Sequence, residues 1–478
     1  MPGVARLIAL LVMVLAGATS LGLLVAFVEG KPGLVESFAM ALLATAFGGA
    51  LVWFALSGRD ERLSRRHLLA LVVVAWPVLG LLASIPFLAT ARDPLSAIFE
   101  GVSSFTTTGA SNLGAAGELP QSLLFWRSLL QWMGGALTLV LAVMVAAPLG
   151  LGGLPQRPTP QVDELPGTAR LIKAAAFALP VYCAASLACF AALALSGVTP
   201  FVALGATLAT ISTGGLLPVD GGVNSIGSAA APIILALTMV IGATSPFWHR
   251  QILAGQWRAV KANREGFWLV ALAIVTGVVI MILEALRGTF ASASIEPALF
   301  LGVSLLTSTG VAMDASQVAL IPLGVILIAA FIGGASFSAS GGLTLLRAGA
   351  LMTQARREFL RLIHPHSVRS AKFGGTQDDI QVMKAIWAVF ASTMFVLAAL
   401  ALAIAAGGAP FEAALSLATF SLANVGPLYP TAASIGEGWP AMTDLQSGAK
   451  LAMIVGMLIG RIETLTLLVV AYLAYWRP

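Results

Sequence analysis

Four short segments of the chain have the residue types needed to hold a dehydrated cation without an acidic side chain. They run Ser104-Phe-Thr-Thr-Thr-Gly-Ala-Ser-Asn112, Thr210-Ile-Ser-Thr-Gly-Gly215, Leu306-Thr-Ser-Thr-Gly-Val311 and Ser421-Leu-Ala-Asn-Val-Gly-Pro427. Aligned on one glycine each, they give Gly109, Gly214, Gly310 and Gly426, at spacings of 105, 96 and 116 residues. Thr, Ser, Asn, Val and Gly suit an extended strand, and glycine permits backbone angles that other residues resist, so carbonyls could turn towards a common axis. Rings of such oxygens replace the hydration shell of potassium in known selectivity filters. The candidate ion-binding residues are Thr107, Thr108 and Gly109; Ser212, Thr213 and Gly214; Ser308, Thr309 and Gly310; and Asn424, Val425 and Gly426. No segment contains a carboxylate, which favours weak, multi-site carbonyl coordination over a tight side-chain pocket. Taken singly, Thr-Gly or Val-Gly before a loop reads as a helix C-cap. Four copies at matching places read as four walls around one axis.

What positions the copies follows from composition. With 58% hydrophobic and 10% charged residues, the 478-residue chain is an all-α polytopic membrane protein. Cys183 and Cys189 lie six apart in one apolar stretch and read as small core residues, with no disulfide or metal framework. The net charge of +5 reflects basic loops that set orientation, and nucleic acid is not implied.

Residues 1–60 read as an amino-terminal two-helix hairpin whose first apolar run is too long and too continuous for a cleaved signal peptide. Four units follow, at residues 61–155, 156–262, 263–372 and 373–478, each an apolar helix, a re-entrant segment ending in the glycine motif, and a returning helix. The middle segments are too short to cross about 30 Å of hydrocarbon, and irregular backbone at that depth must be buried or line water. Most Lys and Arg fall on one side under this topology, which puts both termini in the cytoplasm of an inner-membrane protein. The short helices would aim partially negative carbonyl ends at the shared cavity. Glu118, Asp220 and Asp314 follow three of the glycines and would either attract cations to the outer mouth or simply mark solvated loops.

These residues resemble the Trk, Ktr and HKT superfamily of potassium transporters, and within it the TrkH-type membrane subunits. The resemblance covers the whole chain. It rests on Phe99-Glu-Gly-Val-Ser-Ser-Phe-Thr-Thr-Thr-Gly109, Phe125-Trp-Arg-Ser-Leu-Leu-Gln-Trp-Met-Gly-Gly135, the other three glycine motifs, Ile332-Gly-Gly334 with Ser340-Gly-Gly342 and Arg347, His364-Pro365, and Gly460-Arg-Ile-Glu463. It implies potassium uptake by a homodimer in which each subunit has its own pseudo-fourfold pore. It also implies that Gly333-Gly-Ala-Ser-Phe-Ser-Ala-Ser-Gly-Gly342, that is Gly333, Gly334, Ala335, Ser336, Phe337, Ser338, Ala339, Ser340, Gly341 and Gly342, breaks the third inner helix as a gate. Small residues there suit close helix packing as well.

Arg461 lies inside a spanning segment, where a charge is costly and a functional role is the default. The resemblance places it just below the filter as a barrier to cations. It further implies a cytosolic TrkA-like regulatory nucleotide-binding subunit as partner, with K⁺ as the transported ion and no nucleotide bound by this chain. The basic stretches Arg250 to Arg264 and Arg347 to Lys372 are candidate docking surfaces, though orientation and membrane lipid also account for them. Departures from the family pattern include Thr344 in place of a lysine, Leu216-Leu-Pro218 and Gly426-Pro-Leu-Tyr429. A Na⁺- or H⁺-coupled symporter is the alternative. An enzyme would need a His/Glu or Ser/His constellation at membrane depth, which the four histidines do not supply.

Overall fold

The structure, a computed structural model, describes residues 1–58, 62–154, 165–287, 295–314, 318, 321–363, 372–373, 376–377, 380–429 and 438–462. Arg157, His364, Pro365, Glu463, Tyr472, Tyr475 and Trp476 lie outside them.

Helices α1 (Pro2–Glu29) and α2 (Pro32–Ala55) form the amino-terminal hairpin. Proline at the start of each is tolerated because the first turn has no intrahelical partner for its nitrogen. The first unit comprises α3 (Arg65–Ala83), the short α4 (Pro94–Phe105) and α5 (Gln121–Leu141). Pro120 gives α5 no side-chain cap of its own. Glu29 supplies one from α1, accepting from the Gln121 and Ser122 N–H groups at 3.2 and 3.1 Å and from Ser122 Oγ at 2.7 Å. Phe38 of α2 meets Trp126 of α5 edge to face at 5.7 Å, fixing the hairpin to this unit.

The second unit has α6 (Gly167–Leu195), the short α7 (Pro200–Ile211) and α8 (Ala231–Gly242). At Ser245-Pro246 the chain bends by 102° into α9 (Pro246–Leu253), followed by α10 (Trp257–Ala262). The third unit has α11 (Glu265–Leu286), the short α12 (Ile295–Leu306), α13 (Leu323–Ile332) and, after a break, α14 (Leu345–Ile363). The fourth has α15 (Ile380–Ala406), the short α16 (Phe411–Ala423) and α17 (Ser447–Ile462). A two-residue antiparallel pair, Lys372–Phe373 with Thr376–Gln377, is the strand structure among the described residues.

Seven described helices are long and apolar enough to cross a membrane, or eight if the bent α8–α9 pair counts as one. The four short helices have 12, 12, 12 and 13 residues. At 1.5 Å per residue they extend only about 18–20 Å. They are buried along most of their length, whereas α2, α6 and α11 expose large apolar side chains such as Leu43, Leu187 and Trp268 outward. An apolar exterior around a more polar interior is what lipid as solvent demands.

Both cysteines were expected in the core, and only Cys189 is there: Cys183 is exposed. Their separation puts them on different faces of α6, and one of those faces points outward.

The units are held by close backbone approaches. Gly302 of α12 lies against α11, where an added Cβ would collide with the Ala273 carbonyl and come within 2.6 Å of the Gly277 nitrogen. Gly302→Val is therefore expected to lower the melting temperature in detergent, since overpacking of this kind costs about 1–3 kcal/mol. An unchanged melting temperature would mean that the two helices part freely.

Candidate functional site: a ring of four glycine segments

Each short helix ends in the same backbone turn. Thr107, Thr213, Ser308 and Asn424 have φ of 53°, 58°, 58° and 55°, a left-handed conformation that Asn adopts readily after a helix but Thr and Ser adopt only under constraint. The two residues after the left-handed one then send their N–H groups backwards. Those of Thr108 and Gly109 meet the Ser103 carbonyl at 2.9 and 3.3 Å, those of Gly214 and Gly215 the Ala209 carbonyl at 2.9 and 3.1 Å, and those of Thr309 and Gly310 the Ser304 carbonyl at 3.0 and 3.2 Å. In the fourth unit Val425 N–H meets the Phe420 carbonyl at 2.8 Å. Across a trans peptide the carbonyl opposes the next N–H. The carbonyls of Thr107, Thr108, Thr213, Gly214, Ser308, Thr309 and Asn424 thus point away from the helix that precedes them.

This pattern corrects the register expected for the second segment. Gly215, with φ 70°, matches Gly109 and Gly310 at φ 74°, and Gly214 has no positive φ. The equivalent set is Gly109, Gly215, Gly310 and Gly426, so Thr213, Gly214 and Gly215 replace Ser212, Thr213 and Gly214 in the alignment. Ser212 belongs to the turn, where its hydroxyl donates to the Leu208 carbonyl at 2.8 Å. A signal was present in the sequence: Gly215 stands as far after Pro200 as Gly109 after Pro94.

The four segments close into a ring. A Cβ on Gly109 would strike the Gly214 carbonyl, one on Gly215 the Thr309 carbonyl, one on Gly310 would come within 2.8 Å of Val425 Cγ1, and one on Gly426 would strike Ala110. Each segment therefore touches the next, and the fourth returns to the first. Gly426 N–H also donates to the Thr108 carbonyl at 2.6 Å, and Asn424 Nδ2 to Thr108 Oγ1 at 2.8 Å. The short helices end at Phe105, Ile211, Leu306 and Ala423, one or two residues before the left-handed residue of each segment.

Arg461 sits at the base of the first segment, 8% exposed. Its Nε donates to the Thr106 carbonyl at 2.5 Å, its Nη2 to Thr107 Oγ1, and its Nη1 to the Ala339 carbonyl at 2.7 Å. Ala339 belongs to the break between α13 and α14, Gly333 to Gly342, whose small residues thread beneath the ring. Thr213 Oγ1 donates to the same Ala339 carbonyl at 3.1 Å, and Gly341 N–H to Ser308 Oγ at 2.8 Å. A Cβ on Gly341 would come within 3.2 Å of Asn424 Cβ. The break therefore reaches the left-handed residue of every segment, the first through Arg461.

From behind, the break is held by Glu265, whose Oε1 accepts from Ser336 N–H at 2.6 Å, and by α8, whose Ala243 and Gly242 carbonyls accept from Ala335 and Ala339 at 3.0 and 3.1 Å. Gly334, Ser338 and Ser340 belong to the same stretch, with the Ser338 and Ser340 hydroxyls 2.7 Å apart. Phe337 (φ 62°) and Thr344 (φ 77°) are left-handed although neither is glycine, so contacts rather than local preference set their shape. Beside the break lies a cavity of about 100 Å³, lined by Trp76, Thr138, Ser338, Gly341 and Arg461 among others.

Of the three acids after the glycines, Asp220 has a structural use: its carboxylate accepts from Ala116 and Gly117 N–H, both at 2.7 Å, joining the loops of units one and two. Glu118 and Asp314 are exposed. Among the described residues no group of three or more His, Cys, Asp or Glu could hold a metal ion. Ion binding here would fall to backbone and hydroxyl oxygens.

The family model for TrkH, described as a cation transport protein, matches residues 35–265 and 266–475. The chain belongs to the TrkH family. The Trk system potassium uptake protein TrkH of Escherichia coli (strain K12) is 31% identical over 99% of this chain and 99% of its own length. The protein of that name from Vibrio parahaemolyticus is 31% identical over 94% of this chain and 93% of its own. The crystal structure of the potassium transporter TrkH from Vibrio parahaemolyticus superposes with a TM-score of 0.87 at 29% identity, covering 100% of this chain and 99% of that one. The all-helical fold expected from the sequence is thus the TrkH fold, and the family is one of transporters, not enzymes.

Proposed function

We propose that this TrkH-family chain takes up potassium across the inner membrane through the ring of four glycine segments, acting as a selectivity filter. The observation that carries the reading is the backward bonding of paired N–H groups in three units and of Val425 in the fourth. It leaves one layer of carbonyls from Thr107, Thr213, Ser308 and Asn424 and another from Gly214 and Thr309 free of their own short helices, while the Thr108 carbonyl accepts from Gly426 N–H. Such layers replace water around a potassium ion. The surrounding helix carbonyl ends add partial negative charge that favours a cation. K⁺ is cargo, and the membrane potential drives it inward with about 2.3 kcal/mol per charge per 100 mV.

Gly333 to Gly342 acts as the gate beneath the filter, and Arg461 as a positive barrier tied to it. Both termini face the cytoplasm, which puts Glu29, Glu118 and Asp220 outside. Residues 1–60 are the hairpin, and 61–155, 156–262, 263–372 and 373–478 are the pore units. The working form is a homodimer controlled by a cytosolic TrkA-like nucleotide-binding subunit, and this chain binds no nucleotide itself.

Uptake of ⁸⁶Rb⁺ and ²²Na⁺ into liposomes holding the purified chain, under a negative-inside potential, tests the reading. Rubidium uptake that excess K⁺ blocks and that needs no Na⁺ or H⁺ gradient is the expected result. Uptake that appears only with an imposed Na⁺ or H⁺ gradient would establish a coupled symporter instead.

A further inference from the structure

The first unit holds a buried ion pair behind its glycine segment. Glu100 of α4 and Arg127 of α5 are 0% and 2% exposed, with Arg127 Nε 2.5 Å from Glu100 Oε1. The second carboxylate oxygen serves the glycine segment. Glu100 Oε2 accepts from Asn112 N–H and from Ser111 Oγ, both at 3.2 Å. Arg127 Nη2 donates to the same Ser111 Oγ at 2.5 Å. Ser111 and Asn112 continue the chain beyond Gly109, so both members of the pair grip that limb of the segment.

One turn further along α5, Gln131 does the same for the second segment. Its Nε2 donates to the Leu216 carbonyl at 3.2 Å, and its Oε1 accepts from Leu216 N–H at 3.0 Å. Leu216 directly follows Gly215. Positions four apart lie on one helix face, so a single stripe of α5 holds the limbs of two neighbouring segments.

In the corrected register the residues equivalent to Glu100 are Ala206, Leu301 and Leu417, all fully buried. Packing a short helix at this position is therefore met by an apolar side chain in three units. A buried ion pair is no better than well-packed apolar residues at stabilising a fold. The charges of the first unit must answer to something other than packing, and what they touch is the glycine segment.

We propose that Glu100 and Arg127 are positioning residues for ion discrimination: acting through Ser111 and Asn112, they fix the spacing of the first segment against its neighbours. Neither touches the ion. The proposal rests on reading the four segments as the filter.

The test compares full-length variants in liposomes by the ratio of ⁸⁶Rb⁺ to ²²Na⁺ uptake, alongside melting temperature. Ser111→Ala leaves the ion pair and the core in place and removes the hydroxyl that both Glu100 and Arg127 hold, so that Asn112 N–H is the contact that remains. Its uptake ratio is expected to fall about tenfold, since displacement by a fraction of an ångström is costly where geometry sets the outcome, with no change in melting temperature. The double variant Glu100→Leu with Arg127→Met gives the first unit the apolar filling of the others, and the same fall is expected. Gly109→Ala is the control for the underlying reading. If Gly109→Ala lowers the ratio while folded Ser111→Ala and the double variant keep it, the filter reading stands and the positioning role is overturned. If Gly109→Ala keeps the ratio, the filter reading fails and the positioning role with it. Should the double variant not fold, Arg127→Lys, which keeps a charge beside Glu100 and loses the fork that reaches Ser111, takes its place beside Ser111→Ala.

Discussion

Arg461→Ala is expected to raise ⁸⁶Rb⁺ uptake at least about tenfold, because it removes a fixed positive charge from the base of the ring proposed as the filter. Two unit charges 4 Å apart interact with about 4 kcal/mol at the effective dielectric found near protein surfaces. A tenfold rise asks for only about 1.4 kcal/mol of that, which leaves room for water and the opposing helix ends to screen the rest. The guanidinium also joins the base of the first segment, at Thr106 and Thr107, to Ala339 of the break. Alanine therefore frees the break proposed as the gate as well as removing the charge. Arg461→Lys separates the two effects: it keeps the charge and loses the three-way fork. Low uptake in the lysine variant with high uptake in the alanine variant assigns the barrier to charge, and high uptake in both assigns it to the tether. A fall in uptake by a folded Arg461→Ala protein would falsify the barrier altogether.

Gly215→Ala is expected to reduce the rubidium-to-sodium uptake ratio by more than about tenfold, as severely as Gly109→Ala. A left-handed residue with a Cβ costs about 1–2 kcal/mol before any contact is counted. Here the Cβ of residue 215 would also strike the Thr309 carbonyl, one of the oxygens proposed to face the ion. Gly214→Ala is the informative comparison. Its φ is not left-handed, and its Cβ would meet the Gln131 side chain and no backbone carbonyl, so the damage is limited to loosening the hold of Gln131 on Leu216. The expected order of damage is Gly215 first and Gly214 second, and the reverse order would restore the alignment on Gly214.

That comparison also marks where the sequence stopped being legible. Periodic glycine motifs between long apolar runs were enough for four re-entrant units, because hydrocarbon thickness leaves few ways to place a 12-residue helix. The break at Gly333 to Gly342 was legible for a similar reason: two glycine pairs inside an apolar run cannot continue a helix without cost. Register in the second unit was not, since Gly214-Gly215 offers two candidates and only the turn geometry distinguishes them.

The polar clamps were hidden by distance. Glu100 and Arg127 were visible as charges, but their partnership and their shared grip on Ser111 need three segments to meet in space. Glu265 belongs to none of the motifs, and its hold on Ser336 spans 71 residues. Asp220 read either as a lure for cations or as the mark of a solvated loop, and it is a staple between loops, because two N–H groups of a distant loop point at it.

The seam where the ring closes joins the fourth unit to the first. Gly426 to Thr108, Asn424 to Thr108, Arg461 to Thr106 and Lys450 to Ser96 are bonds between residues more than 300 positions apart. Closure of so long a loop comes last when segments emerge from the ribosome in order. While the chain is being made, the first three units stand in the membrane with one side of the ring open. The ring of four segments is not closed until the final segments arrive, so a stalled or truncated product would lack the ring proposed as the filter, and closure of that ring brings Arg461 into place with it.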